Sequence, residues 1–275
     1  MTTTPPVTAD GVIEGYVQAL PPVERQGDKA VIDAAGVYYK QLNEAVRQAI
    51  ADGAKHVILK NVNGQRYIGT GIREKGVRID VHGCAGNDLA TFMGGPTIEV
   101  FGNAQDGVGN TMDDGIVIVH GDAGDVLGYG MRGGKVFIKG DVGYRVGIHM
   151  KAYESKVPVL VVGGKARDFF GEYQAGGTLI LLGMNGQFED QPLVGDFLGT
   201  GQHGGEILIR GEVERHRIGK ECGIFTADDE VIARIRPILE EFCGHFGMDI
   251  GEVLAEPFTR LVPISHRPYG KLYAY

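Results

Sequence analysis

Two strings in this 275-residue chain match the glycine spacing that cradles a dinucleotide pyrophosphate, Gly128-Tyr-Gly-Met-Arg-Gly133 and Gly199-Thr-Gly-Gln-His-Gly204. That fingerprint works between a strand and a helix, with an acidic residue about twenty positions on to hold the ribose. Here Lys135-Val-Phe-Ile follows the first string and reads as another strand, so nucleotide binding is not inferred. Nucleophilic thiol chemistry needs a base within reach. Cys84 directly follows Gly83, with His82 on the other side of that glycine. That short group is not read as a thiol–base pair. Cys222 and Cys243 stand 21 apart with no C-x-x-C, so neither zinc nor iron–sulfur spacing is present. Among the histidines, His120 and His149 can be placed on one outer face, although isolated surface histidines are the commoner case. Asp113-Asp114 reads as a turn and Asp228-Asp229-Glu230 as a helix start rather than as paired catalytic carboxylates. Neither a G-x-S-x-G elbow nor a P-loop occurs. Residue chemistry therefore assigns no catalytic, cofactor-binding or metal-ligating residue.

Composition narrows the classes further. Hydrophobic residues make up 43% and charged residues 23%, the balance of a globular protein with a real core. A formal charge of −8 disfavours nucleic acid and anionic lipid as partners. No apolar run reaches the roughly 20 residues of a membrane helix. The start, Met1-Thr-Thr-Thr-Pro-Pro, has none of the regions of a signal peptide, and three scattered cysteines make no disulfide framework, so a cytoplasmic protein is expected. The unusual figure is glycine, 45 residues.

Those glycines are periodic. The anchors Gly64, Gly83, Gly102, Gly121, Gly140, Gly164, Gly183 and Gly211 are separated by 19, 19, 19, 19, 24, 19 and 28 residues. From Gly83 onward the residues four and two before each anchor are all aliphatic: Ile79/Val81, Ile98/Val100, Val117/Val119, Val136/Ile138, Leu160/Val162, Leu179/Leu181 and Ile207/Ile209. The first unit departs, with Lys60 and Val62 before Gly64. A second glycine tends to fall seven after the anchor (Gly71, Gly109, Gly128, Gly147, Gly171), with Ala90 in that slot once. The turn pairs Gly133-Gly134, Gly176-Gly177 and Gly204-Gly205 follow at five and six residues later. The longer intervals place insertions near residues 153–158 and 187–195, where surface loops would carry them.

A unit this short cannot hold a crossover helix, but it fits one turn of a stacked coil whose paired aliphatics face inward and whose glycines supply positive φ at corners. An antiparallel sandwich would give turn signals every 8–12 residues, but not a period held to the residue. The expected fold is therefore mainly β: a right-handed, single-stranded parallel β-helix of about seven to eight coils. Tyr38, Leu42, Val46 and Ile50 at helical spacing, stopped at Asp52-Gly53, predict a flanking N-terminal helix that covers the first turn. Val231, Ile235, Leu239 and Phe242 predict a C-terminal helix, opened by a Thr226/Asp229 capping box and kinked or broken at Pro237. The expected organisation is a lead-in at 1–10, a helix-bearing segment at 11–56, the β-helix at 57–213, and a helical extension at 214–275. Its aromatic, basic tail Arg267–Tyr275 is read as a strap more readily than as a partner-docking segment.

The run Ala45-Val-Arg-Gln-Ala-Ile-Ala-Asp-Gly53, then Asn61-Val-Asn-Gly-Gln-Arg-Tyr-Ile-Gly69, then coils such as Gly140-Asp-Val-Gly143-Tyr-Arg-Val-Gly147, resembles the GXGXG domain of the glutamate synthase large subunit over roughly residues 37 to 211. The family's Asn-x-x-Arg-x-hydrophobic-Gly motif is matched by Asn63, Arg66, Ile68 and Gly69. The GXGXG-bearing polypeptide of formylmethanofuran dehydrogenase is similar in its coils, but not in the upstream helix and arginine motif. The resemblance implies a β-helix that is not the catalyst. In that family a glutaminase domain with an N-terminal cysteine releases ammonia, and a barrel with FMN and an iron–sulfur cluster aminates 2-oxoglutarate. This chain has Thr2 after Met1 and no cysteine cluster, so both catalytic parts are expected on partner subunits. The expected role is a structural subunit of an oxidoreductase complex in glutamate biosynthesis, with a homo-oligomer also open. The alternatives are the equivalent GXGXG component of a formylmethanofuran dehydrogenase or related formyl-transferring complex, and a stand-alone β-helix acyltransferase of the hexapeptide type.

Overall fold

A computed structural model describes residues 19–186 and 191–265 of the chain. The lead-in at 1–10, the centre of the second insertion and the tail Arg267–Tyr275 lie outside the described residues. Among the described residues twelve strands form one sheet. It begins with β1 (Val23–Gln26) antiparallel to β2 (Lys29–Asp33), after which α1 (Tyr39–Ala51) intervenes. Then β3 (His56–Asn63), β4 (Arg78–Cys84), β5 (Gly94–Val100), β6 (Asp114–Val119), β7 (Lys135–Ile138), β8 (Val159–Val162), β9 (Ala175–Leu181) and β10 (Gly204–Arg210) stack in parallel. The chain closes with β11 (Cys222–Thr226), α2 (Asp229–Phe246), α3 (Ile250–Val253) and β12 (Phe258–Pro263). This is the expected parallel β-solenoid. It winds for about six turns, slightly fewer than the anchor count predicts, with helical and antiparallel elements at its two ends.

The aliphatic pairs build the core. Ile79, Ile98, Val117, Val136, Leu160, Leu179 and Ile207 lie opposite one another in successive strands, and Val81, Val100, Val119, Ile138, Val162, Leu181 and Ile209 form a second column. All fourteen side chains are fully buried. Strand alternation sends them inward, and a rung spacing of about 4.8 Å brings each into van der Waals contact with the next. A third interior column runs Met93, Met112, Met131 and Met150, then becomes polar at Gln174 and Gln202. Gln202 Nε2 donates to Gln174 Oε1 at 3.0 Å, and the Cys222 thiol donates to Gln202 Oε1 at 3.2 Å.

Two readings of the glycines need correction. Gly64 is not equivalent to Gly83: the partner of Gly83 in β3 is Val62, and the ladder continues through Val57 and Leu59. One extra residue at Asn61, with φ of 56°, shifts the register between Leu59 and Val62. For the same reason Gly69, not Gly71, occupies the column of Gly109 and Gly147: Ala90 N–H donates to Ile68 O as Gly109 N–H donates to Leu89 O. Half of the anchors, Gly102, Gly121, Gly140 and Gly164, do not supply positive φ. At Gly102 the need is space, since a Cβ there would run into the Gly83 carbonyl of the preceding coil. The left-handed corner belongs to the second column, exemplified by Gly147 at φ 74°.

The ends follow from amphipathicity. Leu42, Ala45, Val46 and Ala49 of α1 join the interior cluster, so this helix covers the first coils as expected. Downstream, α2 packs not on the end of the solenoid but along its outer wall, over Ile118, Phe137, Val161, Ile180 and Leu208. An 18-residue helix is about 27 Å long, enough to cross the five strands β6 to β10. Asp228, rather than Thr226, caps α2 by accepting from Val231 N–H at 2.9 Å, because the chain is still in β11 at Thr226. The helix also continues through Pro237, its apolar face held by Ile235, Leu239 and Phe242. The insertion at 153–158 is an exposed turn closed by a Tyr153–Lys156 bridge. None of the helices among the described residues is long and apolar enough to cross a membrane.

Candidate functional site

Where α2 stops, the outer wall changes character. The column that reads Ile118, Phe137, Val161, Ile180 and Leu208 under the helix becomes Asp80 and Glu99 on β4 and β5. Arg78 donates from Nε to Asp80 Oδ1 at 2.7 Å and from its terminal nitrogen to Glu99. His56 Nε2 lies 2.7 Å from Asp80 Oδ2, and His120 Nε2 lies 2.7 Å from Glu99 Oε1. Burial pulls against the Glu99 charge, but His120 and Arg78 outweigh it and hold the carboxyl below its ordinary range. The same exchange raises Arg78, whose burial is overcome by Asp80 and Glu99. His82, Phe101 and His120 stack with ring centroids 4.8 and 5.1 Å apart, ending edge-on against Phe246 of α2. Both carboxylates are nearly buried and each has a cationic or imidazole partner on either side, an arrangement that immobilises charge between rungs.

The remaining polar groups chiefly bind coil to coil. Asn103, Asp122 and Asp141 form a column in which each side-chain oxygen accepts the backbone N–H one rung on, from Asp122, Asp141 and Lys165. Asp106 and Asp125 do the same toward Asp125 and Tyr144, as does Asp168 toward Asp196. Asp113 lies just before β6 and Asp114 opens that strand, past the turn expected of them, and they pair with Lys156 and Lys75. The three cysteines are free thiols. Burial raises the Cys84 thiol, and His82 stacks on Phe101 instead of addressing it. Cys222, on the Gln202 column, is pushed up to about 12 by burial. Thiols so raised are protonated and poorly nucleophilic at neutral pH. His120 and His149 are not on one face: His120 belongs to the wall stack, whereas His149 stacks on Tyr173 at a corner 5.3 Å away between ring centroids. They occupy different positions in the coil, one before an anchor glycine and one nine after.

That corner is what the glycine and aliphatic patterns do not single out. Five and nine positions after the anchors, bulky residues adopt left-handed backbone: Val126, Arg145 and Phe169 in one column (φ 53°, 57° and 66°), Phe92, His149 and Tyr173 in the other (φ 55°, 55° and 51°). Phe197 extends the first column beyond the insertion, and its ring stacks on Phe169 at 4.8 Å. Arg145 lies 4.3 Å over the Phe169 ring and pairs with Glu172. Phe92 and Phe197 are each 53% exposed, and Tyr129 and Tyr144 are exposed beside them. Left-handed backbone costs such residues about 1–2 kcal/mol each, and glycine takes the same slots at Gly107 and Gly130. The signal was available as aromatic and arginine residues recurring at fixed offsets from a glycine.

The motif residues lie at the N-terminal end. Asn63 and Arg66 are exposed, and the Arg66 carbonyl accepts from Asn43 of α1 at 2.8 Å, tying the helix to the first coil. Gly69 packs against Ile98, where a Cβ would collide.

A family model described as GXGXG motif matches residues 40–265. The chain belongs to the GXGXG-motif family. It is 48% identical over 252 residues to the uncharacterised protein MJ1350 of Methanocaldococcus jannaschii, spanning 90% of this chain and 97% of that one. It also shares its fold with a chain of the formyltransferase/hydrolase complex FhcABCD from Methylorubrum extorquens, solved in complex with methylofuran. That similarity has a TM-score of 0.58 at 22% identity and covers 76% of this GXGXG chain and 74% of the other.

Proposed function

We propose that this GXGXG chain is a non-catalytic structural subunit that holds other polypeptides of a multi-subunit enzyme in register. The observation that carries this reading is where the polar groups go. Its buried carboxylates and its aspartate columns are engaged in bonds within and between coils, while an outward corner displays aromatic and arginine side chains. Aromatics and arginine are the residues that anchor protein interfaces. In the form closest to the sequence motifs, the partners are a glutaminase-type amidotransferase subunit and a synthase subunit that holds FMN and an iron–sulfur cluster. Together they would make glutamate from glutamine and 2-oxoglutarate, with this chain contributing the frame. The helix α1 and the Asn63/Arg66 segment that it grips support that form.

A second reading keeps the scaffold role but places it in a formyltransferase/hydrolase type of complex. The fold shared with a chain of one such complex favours it. Affinity purification of the tagged chain from its native host, with mass spectrometry of what accompanies it, separates the two. A glutaminase and a flavin-containing partner are expected, with a flavin absorbance in the purified assembly. A metal-dependent hydrolase-like partner selects the second reading, and a chain that purifies alone overturns both.

A further inference from the structure

The two ends of the solenoid sheet are finished differently. At the N-terminal end the edge strand β1 carries Glu24 and Arg25, and Arg25 is tied to the Ala49 and Asp52 carbonyls of the α1 region. Charge on an edge strand protects it from pairing. At the other end β11 is the last strand of the sheet, and among the described residues it pairs with β12 alone. From Cys222 to Ala227 it has no charge. Ile224 stands opposite Leu261, itself opposite Ile207, so Ile224 is the terminal residue of an interior column, and it is 39% exposed. Phe225 on the outer side is 56% exposed, and neighbouring Ile264 is 68% exposed.

We propose that this edge pairs with β11 of a second copy of the chain, antiparallel about a twofold axis at Ile224, so that two solenoids join end to end. The strand is complementary to itself in that register. Ile224 meets Ile224 of the copy, making one unbroken interior column through both molecules. Gly223 falls opposite Phe225, so the copy's ring has no side chain standing directly across from it, while each chain's own ring lies over its own Gly223. Lys220, exposed and without an ion pair among the described residues, falls opposite Asp228. One Asp228 oxygen caps α2 and the other is left for the lysine. A twofold produces each of these pairings twice, the economy that makes such dimers the commonest assemblies.

The test is the mass of the purified full-length chain by light scattering at micromolar concentrations, with circular dichroism to confirm folding. Wild type is expected at twice the chain mass. Ile224→Lys and Ile224→Asp each place like charges across the axis and are expected to be monomeric, whereas an equimolar mixture of the two restores the doubled mass. Lys220→Glu, a change at an exposed side chain, is expected to keep the wild-type circular dichroism and to weaken dimerisation at least fivefold. A monomeric wild type, a dimer that survives Ile224→Lys alone, or a native complex in which another polypeptide covers β11 would each overturn the proposal.

Discussion

Val119 and Ile138 lie opposite each other in the second interior column, fully buried between rungs. An aspartate at either position would put a charge among aliphatic side chains with no partner to meet it, at a cost of more than about 4 kcal/mol. Val119→Asp and Ile138→Asp are therefore expected to leave the chain unfolded or insoluble, read by far-ultraviolet circular dichroism and soluble yield. Cys84 makes the opposite case. Its thiol is raised by burial and donates only weakly, to the Ala85 carbonyl at 3.8 Å, so no base recruits it as a nucleophile. Cys84→Ser should leave the melting temperature nearly unchanged and the activity of the assembled complex intact. A large loss of turnover without a loss of assembly would contradict the scaffold reading.

At the scale of the element, Glu206 joins three pieces of the chain. On β10, its carboxylate accepts from both terminal nitrogens of Arg234 on α2 and from Arg260 on β12 at 3.0 Å. Burial alone would raise it, but Arg234 and then Arg260 hold it lower than the ordinary 4.5. A lowered carboxyl stabilises the fold above its unfolded value and loses that contribution as pH falls through the folded one. Glu206→Gln is thus expected to cost about 1–3 kcal/mol near neutral pH and to show less loss of stability below pH 4.5 than wild type, in thermal melts across pH. The contrast between this region and the coils explains what could be read in advance. Paired aliphatics at a fixed distance before a glycine identify rungs, because each rung must satisfy the same neighbour above and below. In β3 the extra residue at Asn61 breaks that distance, so Gly64 looks like an anchor when the ladder has already passed through Val57 and Leu59. The seat of α2 was illegible for a different reason. The outward Ile118, Phe137 and Val161 alternate with inward aliphatics, and strands apolar on both faces reveal burial but not what covers them. The corner aromatics were hidden too, since a left-handed Phe169 or His149 runs against the residue preferences that mark such positions with glycine.

For the whole molecule, a stack in which each coil touches only its neighbours makes length negotiable and phase obligatory. Removing residues 84–102, one period, joins Gly83 to Asn103. It then sets Ile79 and Val81 directly against Val117 and Val119, Ala85's place being taken by Ala104 and Met93's by Met112. The cut falls upstream of the wall that α2 covers, so the helix keeps Ile118, Phe137 and Val161 beneath it. It removes Glu99, leaving Arg78 and His120 without that partner, and a lower melting temperature is the expected consequence. The shortened chain should nevertheless be soluble, rich in β-structure and cooperative in its unfolding. Removing only residues 84–93 deletes about half a period and throws every inward column out of register with the next, so that variant should not fold. Circular dichroism and thermal denaturation of the pair distinguish a solenoid, for which nineteen residues are a dispensable unit, from any sheet in which each segment has a place of its own.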